Sequence, residues 1–77
     1  MNKEASIKGR ARSKFGNLLD ERGMTLRQFA ILLYERTGYI INITNLSNYR
    51  TGLKPIGTVE VARKFAEALD VTIDEIV

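Results

Sequence analysis

Asn42-Ile43-Thr44-Asn45-Leu46-Ser47-Asn48-Tyr49-Arg50-Thr51-Gly52 is the stretch that decides the fold. At about 100° per residue, a helix over these positions puts Leu46 and Tyr49 on one side. Thr44, Ser47, Asn48 and Thr51 fall on the other. Two bulky residues anchor the apolar side, while the polar side is a row of short hydrogen-bonding groups with almost no charge. A helix that needs only solubility usually carries Lys and Glu on its wet face. A wet face of Thr, Ser and Asn suits recognition of a hydrogen-bonding pattern, such as the edges of base pairs. Asn42 is the expected N-cap. Thr51-Gly52-Leu53-Lys54-Pro55 is a strong breaker that ends the helix.

Outward from this stretch the helical period recurs, and no segment alternates with a period of two. A first helix is predicted from Ile7 to Arg22, with Ala11, Phe15, Leu18 and Leu19 on one stripe and Gly23 as a left-handed cap. A second opens at Thr25, where Thr25-Leu26-Arg27-Gln28 fits a capping box. Its core stripe is Leu26, Phe29, Ala30 and Leu33, with Tyr34 at the edge, and Thr37-Gly38 closes it. Ala30 is small enough for another helix to approach closely. A fourth helix runs from Thr58 to Leu69, with Val61, Ala62, Phe65, Ala66 and Leu69 inward. Thr72-Ile73-Asp74-Glu75 is a second capping box that starts a terminal turn, placing Ile73 and Ile76 back on the core. The expected fold is all-α, a compact bundle of four to five short helices over residues 7–77, with residues 1–6 as a flexible arm. There is no internal repeat and no low-complexity segment.

Composition narrows the function classes. The 77 residues suffice for one domain with a modest core. The chain has no Cys and no His, which removes thiol chemistry, the commonest general base and the commonest metal ligand. It has no Gly-rich phosphate loop and no metal-spaced carboxylate cluster, and it is too small for a substrate cleft. Asp74-Glu75 is explained by capping and the helix dipole. The expectation is therefore a protein that is not an enzyme, with no cofactor, no metal and no small-molecule ligand. No apolar run approaches the ~18 residues of a membrane span. The first six residues lack the apolar core of a signal peptide, so a cytoplasmic location is expected.

Charge is unevenly placed along the chain, whose net charge is +3. Lys3, Lys8, Arg10, Arg12 and Lys14 stand against Glu4, a net +4 for residues 1–14. Arg22, Arg27, Arg36, Arg50 and Lys54 stand against Asp20, Glu21 and Glu35, a net +2 for residues 15–57. Arg63 and Lys64 stand against Glu60, Glu67, Asp70, Asp74 and Glu75, a net −3 for residues 58–77. One end attracts a polyanion and the other repels it. That is either an oriented footprint for nucleic acid or an asymmetric solvated surface.

The ordered pieces carry a resemblance. Arg22-Gly23-Met24-Thr25 precedes helix two, Phe29-Ala30 lies within it, and Ile41-Asn42 leads into helix three. Leu46-Ser47-Asn48-Tyr49 lies inside helix three, Gly52-Leu53-Lys54-Pro55 follows it, and Leu69 to Ile76 closes the chain. In this order and spacing the chain resembles the lambda-repressor-like helix-turn-helix family, the Cro/CI or Xre group, over residues 10–76. The resemblance implies sequence-specific binding of double-stranded DNA, with helix 42–51 in the major groove, and a role in transcription regulation. It implies base contacts from Ile43, Thr44 and Asn48, flanked by Asn45 and Ser47. It implies phosphate contacts from Thr51 and Lys54, and from Arg27 and Gln28 at the start of helix two.

The chain also departs from the family pattern. The turn glycine usually comes soon after the helix-two Ala, whereas Gly38 is eight residues past Ala30. Helix two is therefore longer, or the link is elaborated. The position after Tyr49 is commonly Glu in the family and is Arg50 here, better read as a surface charge or an intramolecular partner than as a base reader. Ile43 puts a branched aliphatic where a polar reader is usual, which suits either a thymine methyl, a recognition helix one position out of this register, or a helix that reads little sequence.

Ile31, Leu32, Tyr39, Ile40 and Ile41 form a separate apolar strip. Either the long turn folds back over Ile31 and Leu32, or the strip is an exposed patch for another subunit or a partner protein. The second case gives the alternative function, a small protein–protein interaction module. One such domain is small for tight specific binding, so a homodimer on paired half-sites is expected.

Overall fold

Phe15, Phe29 and Phe65 meet at the centre of the molecule, their ring centroids 4.9 to 5.0 Å apart. The computed structural model describes residues 13–77. They form α1 (Lys14–Glu21), α2 (Leu26–Thr37), α3 (Ile43–Thr51), α4 (Val59–Leu69) and a closing 3-10 turn, Ile73–Glu75. Each phenylalanine comes from a different helix, so α1, α2 and α4 share one aromatic centre. The Phe15–Phe29 and Phe29–Phe65 pairs stand edge to face, the arrangement ring quadrupoles favour. Leu19, Leu33, Leu46, Ala66, Ala68, Leu69 and Ile76 complete the buried cluster. Among the described residues the fold is all-helical, without strands.

The helix ends follow local chemistry. Thr25 and Gln28 form the expected box: the Gln28 amide donates to Thr25 Oγ1 at 3.1 Å, and the Thr25 amide donates to Gln28 Oε1 at 2.9 Å. Asn42 and Thr58 cap α3 and α4 through the amides of Asn45 and Val61. Gly23, Gly38 and Gly52 follow their helices with φ between +63° and +85°. Asp70 takes the same left-handed conformation after α4, at φ +59°. The Thr72 amide and hydroxyl both donate to Glu75 Oε2, and Ile76 is buried as expected.

Three expectations change. α1 is interrupted at Ser13 and, among the described residues, begins at Lys14, because Ser13 is extended and its hydroxyl accepts the Gly16 amide at 2.9 Å. The expected start at Ile7, the stripe position Ala11 and the arm over residues 1–6 lie outside the described residues. Tyr34 is exposed rather than at the core edge, since it points away from the stripe of Phe29 and Leu33. Ala68 is fully buried although it was not assigned to the core stripe of α4.

The long connection after Ala30 contains both elaborations. α2 extends to Thr37, and residues 38–42 then run back alongside it to the start of α3. Thr37 Oγ1 donates to the Leu33 carbonyl and accepts the Tyr39 amide, which directs the link. Tyr39, Ile41 and Leu32 pack on the core edge. Ile31 and Ile40 remain 54% and 79% exposed, so the link covers only part of the apolar strip. No helix among the described residues is long and apolar enough to cross a membrane.

Candidate nucleic-acid interface

Leu46 is the only fully buried residue of α3, and this single anchor sets which face the helix presents. Tyr49, one turn on, is half-buried, with its ring 5.8 Å from Phe65 and edge to face. Tyr49 thus packs on the core rather than offering a stacking surface. Thr44 is on the opposite side and exposed, while Asn45, Ser47, Asn48 and Thr51 are half-buried. Ile43 is exposed at the first turn. The side chains of Thr44, Ser47 and Asn48 make no hydrogen bond among the described residues, so their donors and acceptors are not committed within the fold.

The end of α3 is built differently. The Asn48 carbonyl accepts the Lys54 amide at 3.1 Å and the Thr51 hydroxyl at 3.3 Å. Thr51 Oγ1 also accepts the Leu53 amide. These bonds fold residues 52–54 back against the last turn and leave the Lys54 side chain exposed beside it. Thr51 therefore spends its hydroxyl proton inside the fold and can offer an outside group only the remaining lone pair.

Arg50 faces away from the polar row. Its Nη2 lies 3.0 Å from Asp20 Oδ1 on α1, and its carbonyl accepts both the amide and the hydroxyl of Ser13. Its Nε is buried without a partner. This arginine fastens the end of α3 to both ends of α1 and is not placed with the outward groups. Asp20 had no assigned role in the sequence reading, because it is 30 positions away in the chain and no local pattern links the two.

At the start of α2, Arg27 and Gln28 are exposed. Gln28 has its oxygen engaged in the capping box, leaving its amide protons to face outward. Arg27 lines a groove between α2 and the link, as do Asn42 and Ile43. The structure thus groups Ile43, Thr44, Asn45, Ser47 and Asn48 on one helix, with Thr51 and Lys54 at its end. It sets Arg27 and Gln28 on a neighbouring helix. Leu53, beside Lys54, is also exposed, and the flanking Gly52 and Pro55 are the local sign that this loop projects.

No known family, curated protein or solved structure matches this chain. Function is accordingly read from the site itself. Among the described residues, no group of three or more His, Cys, Asp or Glu side chains is placed to hold a metal ion. What the surface offers is neutral hydrogen-bonding side chains on a narrow helix, with cations at its margins.

Proposed function

We propose that the chain is a sequence-specific double-stranded DNA-binding protein of the lambda-repressor-like, Xre helix-turn-helix type that regulates transcription. In this reading α2 and α3 are the paired helices, and α3 enters the major groove. The observation that carries the reading is the uncommitted outward row Thr44, Ser47 and Asn48 on a helix fixed by buried Leu46. A B-DNA major groove about 12 Å wide admits one helix and presents a distinct donor and acceptor pattern for each base pair. Asn48 has the paired donor and acceptor that match an adenine edge. Ile43 supplies apolar contact for a thymine methyl, and Asn45 and Ser47 flank them. Lys54 and Gln28 supply phosphate contacts, as does Arg27 in a single copy, and these fix register without reading sequence. Thr51 adds at most an acceptor to a water-bridged contact. Two copies acting together would match paired half-sites.

A second reading, a protein-binding module, is favoured by the exposure of Ile31, Tyr34 and Ile40. Binding to random duplex at about 50 and about 200 mM salt separates the two. A DNA-binding protein shows affinity that falls steeply with salt. Absence of salt-sensitive binding at both concentrations would leave the protein-binding reading. Selection of bound duplexes from a random pool then gives the operator and shows whether it is palindromic.

A further inference from the structure

The outer face of α2 carries Arg27, Ile31 and Glu35 at four-residue intervals, an ordered ridge with a cation at one end and an anion at the other. Beside this ridge lies an open apolar groove of about 680 Å³, whose walls include Ile31, Tyr34, Tyr39 and Ile40. We propose that this ridge and groove form the two-fold interface of a homodimer. Ile31 of each copy lies near the axis, and Arg27 of each faces Glu35 of the other.

The occupant follows from symmetry. A two-fold contact must be self-complementary, with residue i of one copy meeting residue j of the other and the reverse. Ile31 stands midway between Arg27 and Glu35, so rotation about Ile31 exchanges the two charged positions. The ridge is an i, i+4 row, and two such rows interdigitate in the commonest helix-packing geometry. The ridge of one copy then enters the groove beside the ridge of the other.

The charges themselves point outward. Arg27 sits in the first turn of α2 and Glu35 in its last turns, each at the end of the helix dipole that disfavours it. Among the described residues neither has an ion-pair partner. On the helix dipole the arrangement is unfavourable at both ends; across the proposed interface each charge gains its opposite. Arg27 then serves the second copy, and Gln28 and Lys54 remain for phosphate.

The interface stands on the ridge and the groove themselves and does not require DNA binding. The interface uses one helix and a short link, at the small end of specific interfaces, so a weak dimer in the micromolar to millimolar range is expected. Sedimentation equilibrium of the full chain without DNA, from about 1 µM to about 1 mM, tests it. The wild-type chain is expected to pass from monomer to dimer across this range. Arg27→Glu and Glu35→Arg each create two like-charge pairs and should weaken dimerisation roughly tenfold or more. Each also places its new charge favourably on the helix dipole, so loss of fold does not explain the result. The double variant restores both pairs and should return within about threefold of wild type. A chain monomeric throughout the range overturns the proposal, as does a dimer indifferent to the single swaps or not restored by the double one. A confirmed dimer that binds no DNA leaves this interface standing and overturns only the DNA reading.

Discussion

Arg50 and Asp20 join the last turn of α3 to the last turn of α1 through a 3.0 Å ion pair. The same arginine's carbonyl takes the Ser13 hydroxyl at 2.8 Å, so α3 is held at its end by both termini of α1. The outward helix is thus braced along its length, by Leu46 in the middle and by α1 at its end. Bracing of this kind fixes the spacing of the outward side chains. The two connections are unequal in strength, which leads to the first two predictions.

Asp20→Ala should cost no more than about 1 kcal/mol, because solvent screens a pair of this exposure. Its side chains are 34% and 42% exposed. Urea unfolding at low and high salt checks this, and the cost should shrink as salt rises.

Ser13→Ala should cost more, about 1–2 kcal/mol, and with little salt dependence. It removes both the cap of α1 and the bond to Arg50. If Asp20→Ala proves the more damaging of the two, the assignment of α3's brace to Ser13 is wrong.

Helix ends give an opposed pair. Gly38 adopts φ +77°, and a Cβ added there would meet nothing within 4 Å. Gly38→Ala should therefore destabilise by about 1–2 kcal/mol through backbone strain alone. Asp70 holds the same conformation with a side chain present, at φ +59°. Asp70→Gly should stabilise by up to about 1 kcal/mol. Thermal melts of both variants should move in opposite directions.

Legibility followed the range of the interactions. Thr25 with Gln28, Asn42, Thr58 and the three capping glycines were readable because each cap is closed within a few residues. The start of α1 was not. The stripe of Phe15, Leu18 and Leu19 continues upstream in the sequence, whereas Ser13 is fixed partly by Arg50, 37 positions away. Tyr34 was misplaced because an aromatic near an apolar stripe invites assignment to it. A strict wheel centred on Phe29 and Leu33 puts Tyr34 well outside. The polar row of α3 was readable as a face, but the internal use of the Thr51 hydroxyl was not, since it depends on how the loop after Gly52 returns.

Leu46→Ala tests the anchor of α3. Removing a fully buried leucine costs about 2–5 kcal/mol, against a total on the order of 4–12 kcal/mol for a chain of this length. The variant should be partly unfolded or close to it, as read by its urea midpoint. Thr44→Ala, on the exposed face of the same helix, should change stability by less than about 0.5 kcal/mol. A similar loss in both would mean that α3 presents a different face.

The outward row makes the sharpest functional prediction. Asn48→Ala should weaken a selected operator by about 1–3 kcal/mol and random duplex hardly at all, because a bidentate amide contact carries sequence information. Lys54→Ala should weaken both equally and lower the slope of log affinity against log salt by about one, as the proposed phosphate contact requires. The contrast is internal to one short segment: the Asn48 carbonyl receives the Lys54 amide at 3.1 Å, so both residues sit on the same end of the helix. Disturbance of the shared backbone would therefore affect the two variants alike. Different effects on operator and random duplex can arise only from what each side chain touches. Titrations of both variants on both duplexes, at two salt concentrations, supply the comparison. Unchanged operator preference in Asn48→Ala would move the reading face toward Ile43 and Ser47.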